Sequence, residues 1–92
     1  LFSDNNNLLI NSTKSMIGHL LGAAGGVEAI VTVLSIHNQK IHPTINIENQ
    51  DPKCNLDFCK EGHRDHTITA ALSNSFGFGG TNGSLVFSKY TA

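Results

Sequence analysis

Between residues 18 and 38 the apolar side chains Leu20, Leu21, Ala24, Val27, Ile30, Val31 and Leu34 recur at steps of three and four, the spacing that gathers one face of an α-helix. No other stretch constrains the fold as strongly. The helix opens on Gly22-Ala23-Ala24-Gly25-Gly26, and each glycine there costs up to about 1 kcal/mol of helix stability relative to alanine. Glycines at that density predict a neighbouring backbone packed very close to the helix.

The rest of the chain reads as strands and turns. Residues 1–7 are polar and asparagine-rich, a loop or frayed end, and Leu8-Leu9-Ile10 is a short strand leading into the extended polar segment that precedes the helix. Pro43 pushes His42 out of the helical region, so residues 41–46 are expected to be extended. Gln50-Asp51-Pro52-Lys53 reads as a turn, Leu56-Asp57-Phe58 as a short edge strand and residues 60–66 as a charged loop. Two better strands, residues 67–73 and 84–90, flank a glycine-rich connection. The expected class is α/β, one long helix on a mixed sheet. A chain of 92 residues buries only about 60 to 65 per cent of its unfolded surface, enough for one helix layer on one small sheet.

Several function classes lose support from composition. Net charge is −1 and the few Lys and Arg are scattered, so there is no electrostatic footprint for nucleic acid or an anionic membrane. No apolar run reaches the roughly 20 residues of a bilayer span, and Leu1-Phe2-Ser3-Asp4 lacks the pattern of a signal peptide. The absence of an initiator methionine suggests an excised piece. Two cysteines make no disulfide framework and fit a reducing compartment.

Chemistry concentrates in two clusters. In Asn11-Ser12-Thr13-Lys14-Ser15-Met16-Ile17-Gly18-His19-Leu20-Leu21-Gly22-Ala23-Ala24-Gly25, His19 is expected near the helix N-terminus, where unpaired N–H groups favour a neutral imidazole. Such a ring donates one hydrogen bond to a carbonyl becoming an enolate, and Lys14 adds positive charge that Glu28 can hold. By themselves a lone His and Lys are more often a helix cap and a solvated charge. The second cluster is Ser73-Asn74-Ser75-Phe76-Gly77-Phe78-Gly79-Gly80-Thr81-Asn82-Gly83-Ser84. Its glycines alone would make a mobile hairpin connection, but Phe76 and Phe78 set large rings on a backbone open to unusual dihedrals, which suits a gate over an apolar tunnel. No Gly-Lys-Ser/Thr follows, so this is not a Walker phosphate loop.

Together the clusters make the chain, from about Asn11 to Tyr90, resemble the C-terminal part of a β-ketoacyl-acyl carrier protein synthase, the elongating condensing enzyme of fatty acid synthesis. The resemblance implies one part of a thiolase-like αβαβα sandwich, with residues 1–92 a C-terminal fragment of the synthase's C-terminal domain. The implied reaction is decarboxylative Claisen condensation of malonyl-acyl carrier protein with an acyl-enzyme thioester. The implied catalytic residues are His19 and Lys14, Lys14 supporting the histidine and Glu28 supporting both. Phe78 would gate the acyl pocket, and the loop Phe76, Gly77, Phe78, Gly79 and Gly80 would contribute backbone N–H groups to an oxyanion hole.

The resemblance implies no required cofactor, although Glu28, Ser73 and Asn74 match positions that bind a structural monovalent or divalent cation in some members. Implied partners are acyl carrier protein bearing acyl and malonyl groups, the remainder of the synthase chain, and a second copy in a homodimer. A nucleophilic cysteine belongs at the N-terminus of a buried helix, a setting that neither Cys54 nor Cys59 has, and the second catalytic histidine would lie upstream. The fragment alone is therefore expected to be inactive. A ketosynthase domain of a polyketide synthase and a noncatalytic small binding module are the alternatives. The compartment stays open among mitochondrion, plastid and bacterial cytoplasm.

Cys54, Cys59, His63 and His66 form a Cys-x4-Cys-x3-His-x2-His series with zinc-ligating residue types. The competing reading is stronger: a small apolar cysteine at a strand end, beside histidines in a charged loop. His37 suits a helix C-terminus electrostatically, and His42 flanks the next strand; neither needs a function.

Overall fold

The computed structural model describes residues 7–91. Its principal element is α2 (Ala24–Asn38), prolonged at the front by a 3₁₀ turn, Leu21–Ala23. The helical rod thus starts three residues after the expected Gly18. A separate single turn, α1 (Lys14–Ile17), occupies the segment expected to be extended. Gly18 ends α1 at φ +77°, a dihedral that breaks a right-handed helix and that glycine adopts without penalty. One turn has no apolar repeat to betray it in sequence, and it is too short to persist without tertiary support.

Strand pairing among the described residues is in two antiparallel ribbons. β1 (Lys40–Ile41) pairs with β2 (Arg64–Asp65), and β3 (Ala70–Phe76) pairs with β4 (Asn82–Ser88). A single parallel bridge joins Leu9 to Asp57. The Leu56-Asp57-Phe58 segment is thus a link rather than the expected edge strand: Ile10 N–H donates to Asp57 O at 2.9 Å and Thr44 N–H to Phe58 O at 3.2 Å. β2 falls within the stretch expected to be loop, where two residues are too few to show an alternation.

α2 packs chiefly on β3. Along β3, Ala71, Ser73 and Ser75 are half-buried while Leu72, Asn74 and Phe76 are exposed, the period of two of a strand with one covered face. The covered side chains are small, so the helix approaches closely, and a Cβ on Gly25 would lie 3.7 Å from Ser75 Oγ. Gly22 and Gly26 have nothing within 4 Å of such a Cβ. The close neighbour predicted from the glycines is present at Gly25 alone.

Gln39 joins the helix to the strands. It sits just past α2 at φ +53°, and its side chain reads the backbone of Ile68 on both sides: Nε2 donates to Ile68 O at 2.9 Å and Oε1 accepts from Ile68 N–H at 2.8 Å. Nε2 also donates to Ile36 O, satisfying one carbonyl left open by the helix end, and Gln39 O accepts from His66 N–H at 3.1 Å. This one side chain stands in for a residue of a sheet ladder.

The hydrophobic interior is small. Ala24, Ile36, Cys59 and Ile68 are buried, whereas Leu21, Ile30, Leu34, Leu72, Phe76 and Val86 are exposed. Apolar surface on that scale marks faces built to be covered. The rod Leu21–Asn38 has 18 residues at a mean hydropathy of 1.2, long and apolar enough by length and composition to cross a membrane. The sequence expectation of no span rested on a longer run; here the packing of the rod on β3 supplies a second reason for its apolarity.

Candidate functional site

The segment that carries Lys14 is fastened to residues 42–46 by hydrogen bonds at almost every position. Asn11 Nδ2 donates to His42 O at 3.0 Å, Ser12 N–H to Thr44 Oγ1 at 3.0 Å, Ile45 N–H to Ser15 Oγ at 3.0 Å and Asn46 Nδ2 to Ser15 O at 3.2 Å. Thr13 Oγ1 lies 3.0 Å from His42 Nε2. With its backbone so held, Lys14 turns the other way and pairs through Nζ with Glu28 Oε2 on α2, the partner expected from the sequence. Glu28's side chain is only 14 % exposed and Lys14's 37 %, so water screens this pair less than a surface pair.

His19 lies in the connection between α1 and the 3₁₀ turn rather than on a helix, and it is exposed. Its Nδ1 accepts the Leu21 N–H at 2.9 Å. A backbone N–H only donates, so Nδ1 must be unprotonated and the neutral ring carries its proton on Nε2. Among the described residues Nε2 has no hydrogen-bond partner, so its N–H is available to an incoming acceptor. The expected neutral donor imidazole is thus fixed by one main-chain bond, not by the dipole of a helix that His19 begins.

Lys14, Glu28, Ser73 and Asn74 line one open cleft of about 900 Å³ between α2, β3 and residues 7–14. His19 and the Phe76–Gly80 loop do not line it. A second hollow of about 640 Å³, lined among others by Ile10, Thr44, Ile47, Cys54 and Phe58, includes none of the residues expected to be catalytic, to gate the acyl pocket or to hold a cation. The ion pair and the two β3 residues thus line one cleft, and the histidine and the phenylalanine loop lie outside its lining.

The suggested cation ligands fit only in part. Ser73 and Asn74 are neighbours on a strand, so their side chains leave opposite faces. Asn74 Oδ1 already accepts the Ser84 hydroxyl at 2.6 Å, and one Glu28 oxygen is taken by Lys14. The three side chains do not converge on one point.

The glycine-rich cluster is the tip of the β3–β4 hairpin. The strands are longer at this end than expected, so Phe76 closes β3 and Asn82 opens β4. Gly77 N–H donates to Thr81 O at 2.8 Å across the mouth, and a Cβ on Gly77 would meet that same oxygen at 2.8 Å, so only glycine fits. Gly79 and Gly80 both have positive φ, near +80°, and present Phe78 fully to solvent. Gly77 N–H is committed to the mouth of the hairpin, so an oxyanion donor from this loop would come from a residue beyond it.

The cysteine–histidine series does not assemble: Cys54 is exposed, Cys59 is buried, and no three His, Cys, Asp or Glu side chains gather at metal-binding geometry among the described residues. Burial pushes the Cys59 thiol up from its usual value, the opposite of an activated nucleophile. Asp57 carries a structural load instead. It accepts two bonds from Arg64, at 2.7 and 2.9 Å, and one from Cys59 N–H at 3.0 Å; the Arg64 bonds foremost hold its carboxyl below the usual carboxylate range. The charged string at residues 57–66 offered the types of this pair in sequence, though not their pairing.

Comparison with known proteins identifies the chain's relatives. The family model described as "Beta-ketoacyl synthase, C-terminal domain" matches residues 1–48. The chain is 55 % identical over 84 residues to 3-oxoacyl-[acyl-carrier-protein] synthase 2 of a Synechocystis strain, spanning 91 % of this chain and 20 % of that protein. The synthase of the same name from Coxiella burnetii is 54 % identical over 82 residues, 89 % of this chain and 20 % of that one. Among solved structures, the ishigamide ketosynthase/chain length factor superposes with a TM-score of 0.85 at 36 % identity, over 88 % of this chain and 20 % of that one. A ketosynthase bound to the hexaketide, in complex with its type II acyl-carrier protein, gives 0.79 at 42 % identity, over 86 % and 19 %. The chain spans about one fifth of the length of these relatives.

Proposed function

This chain belongs to the β-ketoacyl synthase family, matching its C-terminal domain, and from that premise we propose that it contributes the thioester-polarising half of a 3-oxoacyl-[acyl-carrier-protein] synthase active site. In the proposed reaction the C–C bond to the carboxylate of malonyl-acyl carrier protein breaks, carbon dioxide leaves, and the electron pair moves into the thioester to give an enolate. His19 Nε2–H donates to the carbonyl oxygen on which that negative charge develops. The enolate carbon then attacks the acyl thioester of a cysteine supplied from outside this chain, and the thiolate departs. Lys14, held by Glu28, keeps positive charge beside this segment.

The observation that carries the reading is the exposed His19 ring, whose acceptor nitrogen is already taken by Leu21 N–H so that its donor nitrogen is the one without a partner among the described residues. The electrons of the cleaved bond suffice, so the chemistry requires no organic cofactor. A structural cation, if bound, would draw on Glu28 and on oxygens of the Ser73-Asn74 segment other than the Asn74 side chain. Residues 1–92 would form part of the C-terminal domain, acyl carrier protein would deliver both acyl and malonyl groups, Phe78 would gate the acyl pocket, and the whole synthase would be a homodimer. The segment alone, lacking an activated cysteine, would be inactive.

Identity favours the 3-oxoacyl-[acyl-carrier-protein] synthase reading: the synthase 2 relatives stand at 54 to 55 % and the type II polyketide ketosynthase at 42 %. The exposed apolar faces speak against a free-standing binding module. In the full-length synthase carrying this segment, His19→Ala is expected to lower malonyl-acyl carrier protein decarboxylation by about 10²- to 10³-fold while acyl transfer to the cysteine persists. Decarboxylation at the parental rate would sink the proposal.

A further inference from the structure

Thr13 stands at the N-cap of α1, yet its hydroxyl makes no capping bond to its own helix. It turns instead to His42 Nε2, 29 residues away in sequence. The other ring nitrogen, His42 Nδ1, lies 2.8 Å from Pro43 O. A carbonyl oxygen only accepts, so Nδ1 carries the proton, and in the neutral ring Nε2 is an acceptor to which the Thr13 hydroxyl donates. Both ends of the imidazole are thereby used, and its orientation is fixed.

From this geometry we infer that His42 is a positioning residue for Lys14, acting through the Thr13 hydroxyl. α1 is a single turn and does not hold itself. Its backbone is set by the bonds that tie Asn11, Ser12, Thr13 and Ser15 to residues 42–46. Within residues 42–46, His42 is the residue whose side chain reaches the one immediately before Lys14. Both partners are part-buried, so loss of either leaves a polar group of the other without its bond. The Lys14 ammonium sits at the far end of a long side chain whose fixed points, among the described residues, are its backbone and Glu28. A slackened backbone lets the ammonium settle at a different place along the Glu28 carboxylate. The role is invisible in the sequence, where His42 reads as a residue flanking a strand.

The inference rests on the proposed part of Lys14 in the reaction, and the test separates the two. In the full-length synthase carrying this segment, His42→Ala and Thr13→Val are expected each to reduce kcat for malonyl-acyl carrier protein decarboxylation by about tenfold, in line with the cost of misplacing a catalytic group by a fraction of an ångström. KM should change less than about twofold, because neither substitution removes a group proposed to touch the substrate. The double variant should be no slower than the slower single one, since both remove the same bond. His42→Gln, whose amide oxygen can accept from Thr13, should recover most of the rate.

Lys14→Ala at parental rate overturns the function assigned to Lys14, and this inference with it. An impaired Lys14→Ala beside unimpaired His42→Ala and Thr13→Val overturns the positioning role alone. Additive losses in the double variant, or no recovery with His42→Gln, overturn it as well. Thr13→Val is nearly isosteric, so an unchanged melting temperature in that variant separates positioning from unfolding if His42→Ala fails to fold.

Discussion

The two motif regions are held in opposite ways. Residues 11–15 are pinned by bonds to residues 42–46, and Lys14 is locked to Glu28. Among the described residues the tip of the β3–β4 hairpin is tied at its mouth alone, by Gly77 N–H to Thr81 O and Asn82 Oδ1, and Phe78 is fully exposed. The difference teaches which parts of the site this chain positions by itself. A polar segment cross-linked to its neighbour keeps its geometry locally, whereas an aromatic ring on consecutive left-handed glycines takes its place from whatever surrounds it. The first suits a fixed electrophilic group and the second a gate.

This contrast can be broken at several points. Gly77→Ala sets a Cβ against Thr81 O at 2.8 Å, with backbone on both sides and no flexible group to yield. It should destabilise the full-length protein by about 2 to 3 kcal/mol in urea unfolding; a value near zero would mean that the hairpin mouth is as loose as its tip. Gln39→Ala removes both bonds to Ile68 and leaves part-buried main-chain groups open, an expected loss of about 1 to 2 kcal/mol by the same measurement. If that variant is as stable as its parent, the link between α2 and the strands lies elsewhere.

Phe78→Ala should leave the melting temperature unchanged, because the ring is exposed in this chain, yet shift the preference between short and long acyl chains by about tenfold. A fall in melting temperature without a change in chain-length preference would make Phe78 a packing residue instead of a gate. The smallest effect is expected from acid. The folded state holds Asp57 below its ordinary 3.8, so its bonds to Arg64 stabilise above that pH and are lost as pH falls through the lowered value. Unfolding followed from pH 5 to pH 2 should show a slight excess loss over an Asp57→Asn variant in that window only. Both partners are largely solvated, which keeps the effect small.

Much of the site could be read before any coordinates. By residue type alone His19 and Lys14 read as a cap and a solvated charge, and it was the family resemblance that singled them out; the expected Lys14–Glu28 ion pair is present, because α2 carries Glu28 back toward the segment that precedes it. The alternation of phenylalanine and glycine marked residues 76–80 as a special turn, and the two positive φ values there bear that out. What escaped was short or distant. α1 and β2 are too brief to leave a periodic signal. Gln39 and His42 act through partners 29 residues away, and nothing in a local pattern announces such a bond.

By itself the sequence determined the elements whose physics is local: the long helix from its apolar period, the paired strands from β-branched and alternating residues, and the turn at residues 50–53 from Asp and Pro. It also determined the family, since two runs of specific residues leave few alternatives. Only the tertiary structure decided how Glu28 holds Lys14, that the Thr13 hydroxyl meets His42, and that Gln39 reads the backbone of Ile68. Those properties depend on atoms brought within hydrogen-bond distance by the folding of remote segments, and a hydrogen bond is too short-ranged and directional for spacing along the chain to specify.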